Sequence, residues 1–281
     1  MIRELTAADL PSLVSSLIAP TLAASPLHGW IATGRDGAVE GVMLDIEGRR
    51  GDLLADHWRA ISPRVLTELY SVAAEVWVAA GITTHRMVAA RADPAAGALV
   101  DLGFGHQQAF SSQSLESLGA RLSSAARQAT VEVRAVCGDE VAQLTTLVPM
   151  ISLHQAGSPV FAPRTPQFFE QLPASIAEYV EDPTCGAWLA WANGTAVGFA
   201  LAECSEEMVE LALIGVSPGA RQSGAATALV ANVIEWGHAQ GATTAVVDWR
   251  TTNTLAAAFW AGLGFVPSEY RWARTIDLTP A

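Results

Sequence analysis

The sequence predicts an α/β chain made of one unit written twice, and two observations carry that expectation. The 281 residues are 51% hydrophobic and 16% charged, enough for a large core and roughly two domains of ordinary size. The same turn chemistry also recurs in the same order, at an offset of 131 residues near the start and 160 to 161 near the end.

The elements follow in order. Ile2-Arg3-Glu4-Leu5-Thr6-Ala7-Ala8-Asp9-Leu10 and Val133-Arg134-Ala135-Val136-Cys137-Gly138-Asp139-Glu140-Val141 each read as a short strand, a polar or acidic cap and an apolar helix. Trp30-Ile31-Ala32 with Asp36-Gly37, and Trp188-Leu189-Ala190 with Asn193-Gly194, read as hairpins closed by Asp-Gly and Asn-Gly turns. Ala80-Gly81-Ile82 and Leu102-Gly103-Phe104 answer Gln240-Gly241-Ala242 and Leu263-Gly264-Phe265. The second unit carries roughly thirty extra residues, mostly within 150–186. The expected division is 1–112, a partly helical linker over 113–130 with a helix from Leu115 to Ala126, and 131–281.

Composition excludes several classes. The formal net charge of −12 opposes phosphate-rich partners, so nucleic acid is not expected, whereas a cationic substrate is compatible with acidic rims. All 16 basic residues are arginine, which removes a P-loop lysine, a kinase lysine and a lysine Schiff base. Cys137, Cys185 and Cys204 form no disulfide framework or zinc knuckle, and the six histidines show no ligand spacing, so no metal is expected. No apolar run reaches the roughly 20 residues of a membrane span. With an acidic Glu4 where a leader would be basic, a cytoplasmic chain is expected.

The segment 208–241 carries the chemistry. Val209, Leu211 and Leu213 alternate with Glu210 and Ala212, and Ile214-Gly215-Val216 extends the strand. Ser217-Pro218-Gly219-Ala220 turns the chain, and Ala226, Leu229, Val230, Val233 and Ile234 then repeat at helical spacing up to Gly241. Arg221-Gln222-Ser223-Gly224-Ala225-Ala226 therefore sits at a helix N-terminus, where small residues leave backbone N–H groups open to a pyrophosphate and Arg221 adds charge. The same small residues also suit tight helix–sheet packing.

Val216-Ser217-Pro218-Gly219-Ala220-Arg221-Gln222-Ser223-Gly224-Ala225-Ala226 resembles the V-x-P-x-x-R-x-x-G-x-G/A signature of the GNAT acetyltransferase superfamily. Asn253-Thr254-Leu255-Ala256 and Ala258-Phe259-Trp260-Ala261-Gly262-Leu263-Gly264-Phe265 resemble its N-x-x-A and Y-x-x-x-G-F segment. The resemblance covers about Val133 to Leu278 and implies two tandem GNAT-like domains, each a mixed, mostly antiparallel sheet flanked by helices. It implies acetyl-coenzyme A as co-substrate, held by Arg221, Gln222, Ser223, Gly224, Ala225, Ala226 and Thr227, with Ile214, Gly215 and Val216 along the pantetheine arm. The Val216 N–H would polarise the thioester carbonyl. Asn253 would contact the cofactor, cap the next helix, or do both.

The match has departures. Trp260 stands where the family often has a tyrosine acid, and an indole N–H gives up no useful proton. The thiolate then leaves unaided or with help from Tyr270 or a water. Glu210, then Glu203, are the candidate bases, each equally readable as a solvated strand carboxylate. Aligned through Gly81 and Gly241, the first unit sets Ile61 against Arg221 and Arg64 against Gly224, so it reads as a degenerate copy that keeps the fold without the cofactor. It would wall the cleft or form a homodimer surface.

The expected activity is transfer of an acetyl group to a small-molecule primary amine by direct attack in a ternary complex. A non-catalytic acyl-CoA sensor is the alternative. A third reading, a serine hydrolase with Ser217 in Gly215-Val216-Ser217-Pro218-Gly219, is opposed by Pro218, which lacks the N–H an oxyanion hole needs.

Overall fold

The computed structural model describes residues 1–6, 8–9, 28–47, 52–55, 58–126 and 129–278. The helix expected after Asp9 lies outside the described residues. In chain order the first half carries strands β1 (Ile2–Glu4), β2 (His28–Thr33), β3 (Val39–Glu47), β4 (Asp52–Ala55) and β5 (Trp58–Ala60). Helix α1 (Pro63–Ala79), β6 (Thr84–Ala90), α2 (Gly97–Asp101) and β7 (Gly105–Ser114) complete it. Helix α3 (Leu115–Ala126) and β8 (Glu132–Ala135) come next, then α4 (Val141–Leu147), α5 (Pro149–Ala156) and α6 (Pro166–Glu181). The chain continues with β9 (Cys185–Ala192), β10 (Thr195–Ser205), β11 (Met208–Val216), α7 (Ala225–Ala239), β12 (Thr244–Arg250), α8 (Thr254–Gly262) and β13 (Glu269–Thr275).

The chain divides into two compact units, Met1–Ala109 with Ser268–Ala281, and Phe110–Pro267. The sequence led us to expect 131–281 as one piece. Instead β13 belongs to the first unit, where Glu269 to Thr275 pair antiparallel with Ala90 to Thr84.

In the first unit β1, β2 and β3 run antiparallel, β3 pairs with both β4 and β5, and β4 alone runs parallel to β6. In the second, β8, β9, β10 and β11 are antiparallel and β11 runs parallel to β12. Each sheet is thus mixed and mostly antiparallel.

The repeat extends to single hydrogen bonds. Helix α1 ends where Ile82 N–H donates to Trp77 O and Gly81 N–H to Val78 O; α7 ends where Ala242 N–H donates to Gly237 O and Gly241 N–H to His238 O. The pairs at Gly103 and Gly264 repeat the motif, with Phe104 N–H on Leu99 O and Phe265 N–H on Trp260 O. All four glycines take φ between +80° and +92°, the left-handed cap that ends a helix without a Cβ clash.

Two apolar layers hold the second sheet. On one face Val209 packs against Gly237 of α7, and Leu229, Val230 and Val233 are fully buried. On the other, Leu144, Val148, Leu172 and Ile176 from α4 to α6 meet Leu189, Phe199 and Leu201. In the first unit Trp30, Trp58, Leu66, Leu69, Tyr70, Trp77 and Met87 form the corresponding core. Among the described residues no helix is long and apolar enough to cross a membrane.

Candidate active site

The site grows from one irregularity in β11. Its parallel pairing with β12 covers only Met208 to Glu210, opposite Thr244 to Val246. Immediately beyond, the β10–β11 register shifts: Leu201 faces Leu213, while Glu203 faces Glu210. Leu211 and Ala212 therefore stand opposite Ala202 alone, a bulge that adds twist and re-aims the strand. From there to Val216, β11 pairs with β10 alone among the described residues.

Beyond Glu210 the backbone groups of β11 have no ladder partner on β12. Ser217 N–H donates to Val197 O at 2.8 Å, so Gly198 and Val216 form a non-hydrogen-bonded pair. The N–H and C=O of Val216, and those of Ile214 two residues earlier, consequently point away from β10. Gly215 lies against Phe199 and Met150 on the helix-covered face.

After the turn at Pro218–Ala220, Gln222 (φ +64°) and Gly224 (φ +81°) adopt left-handed conformations that lead into α7. Gly224 is the N-cap but supplies no side-chain bond. Ser223 Oγ donates to Ala220 O at 2.7 Å and accepts from Ala225 N–H at 3.3 Å, which pins the loop internally. A Cβ on Gly224 would meet Ala129 Cα at 3.1 Å and Ala129 Cβ at 3.2 Å. Thr130 N–H, next along, donates to Ser223 O. The close approach that demands glycine is thus made by the chain itself. Arg221 and Gln222 are exposed, Ala225 is buried, and Ala226 and Thr227 are half-buried in the first turn of α7.

Glu203 and Glu210 come together as direct cross-strand partners, and Cys185 sits opposite Glu203 on its other side. The row Cys185–Glu203–Glu210 lies on the face covered by α6. Burial raises the Glu210 carboxyl above the ordinary glutamate range, and the Asp248 and Glu203 carboxylates push it further. Burial also raises the Tyr179 hydroxyl, with the Glu203 carboxylate next in importance, then Cys185 and Glu210. Sequence reading missed Asp248, although the 244–250 alternation would have found it: Ala245, Val247 and Trp249 are buried and the residues between them are not. For Tyr179 no local signal existed.

The remaining candidates separate. Asn253 Oδ1 accepts from Ala256 N–H at 3.2 Å and so caps α8. Trp260 is buried, edge-on to Phe259 and Phe265, which is core packing. Tyr270 lies on β13 in the first unit, its ring stacked on His106 at 4.1 Å. A cavity of about 360 Å³ between α3 and α7, lined by Leu115, Leu122, Ala231 and Ile234, contains none of the site residues.

The first unit repeats the end of this strand. Ile61 N–H donates to Glu40 O as Ser217 N–H does to Val197 O. Ile61 therefore corresponds to Ser217, not to Arg221 as the alignment through Gly81 and Gly241 suggested. Between strand end and helix-capping glycine, the second unit is four residues longer, the Ser217–Gly241 span against Ile61–Gly81. Helix α1 starts directly on Ser62, whose side chain accepts from Val65 N–H. Trp58, opposite Met43 as Ile214 is opposite Ala200, is buried and donates its indole N–H to Val88 O at 2.7 Å.

Residues 151–265 match the model of the "Acetyltransferase (GNAT) family". A search of curated proteins finds no match. Among solved structures the chain is similar to a GCN5-related N-acetyltransferase from Sphaerobacter thermophilus, with 15% identity over 99% of this chain and 97% of that one and a TM-score of 0.65. An acetyltransferase of the GNAT family from Colwellia psychrerythraea follows at 16% identity, 99% and 100% coverage and a TM-score of 0.56. A tandem GNAT protein from the clavulanic acid biosynthesis pathway shares 14% identity over 100% and 99% of the chains, with a TM-score of 0.55. At such identities these structures speak for the fold; the family match over 151–265 takes in the strand–loop–helix just described.

Proposed function

We propose that the protein transfers an acetyl group from acetyl-coenzyme A to a primary amine, at one site per chain. The observation that carries this reading is the parting of β11 from β12 after Glu210, directly ahead of a left-handed loop and a helix N-terminus. The outward N–H and C=O of Ile214 and Val216 suit the amide-bearing pantetheine arm, as a sheet edge suits an added strand. Gln222, Ser223, Gly224, Ala226 and Thr227 offer amide N–H groups at the positive end of α7 for the pyrophosphate, with Arg221 beside them.

The Val216 N–H would stabilise oxygen charge on the thioester carbonyl. Glu210, with its raised pKa, is the better matched base. It takes a proton from the ammonium, directly or through a water. The neutral nitrogen bonds to the acyl carbon, the carbon–sulfur bond breaks, the nitrogen releases its surplus proton to solvent, and the coenzyme leaves as thiolate, which takes a proton from solvent. Trp260, packed in the core, has no part in this step.

The first unit is read as a retired copy. Trp58 occupies the position of Ile214, and the turn before α1 lacks the residues that would cradle a pyrophosphate.

Calorimetric titration of the protein with acetyl-coenzyme A tests the reading. One site per chain supports it, two sites would show that Trp58 does not close the first unit, and no binding at millimolar ligand would remove the proposal.

A further inference from the structure

Helix α3 is held firmly at its start and middle, and the chain after it only lightly. Leu115 N–H donates to Thr243 O at 2.9 Å, just past the end of α7. Leu115, Leu118 and Leu122 are buried, three and four residues apart on one face of a helix that packs against α7. The Arg121 guanidinium lies directly against Gly264. From that start α3 runs antiparallel to α7, and Ala129 and Thr130 stand at the N-terminus of α7. There Thr130, exposed, donates its N–H to Ser223 O at 3.3 Å, and Ala129, half-buried, rests on Gly224. Ala129 Cα and Cβ lie 3.1 and 3.2 Å from where a Gly224 Cβ would be. A phosphate oxygen touching Gly224 from that side would sit farther out than a Cβ and would overlap Ala129.

We propose that Ala129 and Thr130 form an autoinhibitory strap on the coenzyme loop: they occupy the bare side of Gly224 and must lift before the pyrophosphate of acetyl-coenzyme A can seat. The inference rests on the acetyl-transfer reading and adds a closed state to it. The bare side of a glycine admits one close neighbour, and the strap and a phosphate cannot share it. The strap is held by one neutral hydrogen bond and one methyl contact, whereas a pyrophosphate makes charge-assisted bonds to the loop amides. The coenzyme therefore displaces the strap, and its apparent affinity is reduced by the fraction of molecules in which the strap is closed. Lifting leaves α3 in place, because its contacts with Thr243, Gly264 and α7 do not involve Ala129 or Thr130.

The test is calorimetric titration with acetyl-coenzyme A of wild type, Thr130→Pro, Ala129→Gly and Thr130→Ala, each in the full chain. Thr130→Pro has no N–H to give Ser223 O, Ala129→Gly has no methyl group against Gly224, and Thr130→Ala keeps both contacts. Thr130→Pro is expected to bind about fivefold more tightly than wild type, the effect of one neutral hydrogen bond no longer broken on binding. Ala129→Gly is expected to move the same way, and Thr130→Ala to match wild type. Should Thr130→Pro fail to fold, Ala129→Gly decides alone. Unchanged affinity in the folded variants would show that the strap stays seated beside the coenzyme, and weaker affinity that it helps to hold it; either overturns the proposal. Weaker binding by Thr130→Ala would make the hydroxyl a coenzyme contact and overturn it as well. Absence of binding in wild type and in every variant is a failure of the acetyl-transfer reading itself, whereas binding by wild type confines any failure to the strap.

Discussion

Replacing Gly224 by alanine places a methyl group at the most constrained point of the loop ahead of α7. With φ at +81°, an L-residue there costs roughly 1–2 kcal/mol for the left-handed backbone alone. The new Cβ would also meet Ala129 Cα at 3.1 Å and Cβ at 3.2 Å, so the two segments must separate by a few tenths of an ångström or the loop must turn. If it turns, the amides of Gln222, Ser223 and Gly224 are displaced from the positions proposed for the pyrophosphate. One charge-assisted hydrogen bond to a phosphate lost in this way is worth about 1.5–3 kcal/mol, a ten- to hundredfold weaker Kd for acetyl-coenzyme A. Gly219→Ala is the matched control, because a Cβ there meets nothing within 4 Å and its φ needs no glycine. Calorimetry and thermal denaturation of both variants read the two effects separately. If Gly224→Ala melts lower yet binds acetyl-coenzyme A as tightly as Gly219→Ala, the glycine serves Ala129 alone and the assignment of the loop to the pyrophosphate is wrong.

Two further outcomes follow from the first unit. Trp58→Phe leaves Val88 O without its donor and removes part of a buried ring. A loss of about 2–4 kcal/mol is expected from urea denaturation, and a loss under about 1 kcal/mol would mean that the indole bond holds nothing. His85 is buried, with Nε2 on Ile82 O, so it carries its proton there and accepts from the Tyr70 hydroxyl at Nδ1. Burial, aided by the nearby Arg274 charge, lowers its pKa below the ordinary histidine value. The unfolded chain then binds the proton first as pH falls: stability is intact above about pH 6.5 and declines below it, by up to about 1.4 kcal/mol per pH unit, until the folded histidine protonates as well. Denaturation of wild type and His85→Gln at pH 7.5 and 5.5 checks this, since equal pH dependence in the two proteins would remove His85 as the source.

Local chemistry was legible in the sequence because local chemistry decides it. Gly81, Gly103, Gly241 and Gly264 mark four helix ends, and in each case the left-handed cap is a property of a few consecutive residues. Asn193-Gly194 makes a two-residue hairpin turn with both φ angles positive, as the dipeptide predicts. Leu115–Ala126 forms a helix over the span read from the sequence. What stayed hidden depends on residues distant in the chain. Nothing in Leu211-Ala212 announces a bulge, because that is a mismatch with Ala202 on another strand. The four-residue difference between strand end and capping glycine appears only when the strands are matched by hydrogen bonds, because two helices of similar length mask the longer turn before α7. Trp58 reads as one more core aromatic until Val88 O is seen beneath its indole, and Tyr270 was assigned by nearness in sequence to a unit it does not belong to.

The place of β13 also sets an order in time. The first unit is begun early in synthesis, yet the β6 edge formed by Thr84–Ala90 has no partner until Glu269–Thr275 has been made. At about 5–20 residues per second, that edge waits on the order of ten seconds or longer while the whole second unit emerges. A strand edge open for that long is a site for wrong pairing with another nascent chain or for capture by a chaperone. A ribosome that stalls between Ala90 and Glu269 would therefore release a polypeptide whose earliest domain, and not only its latest, is incomplete.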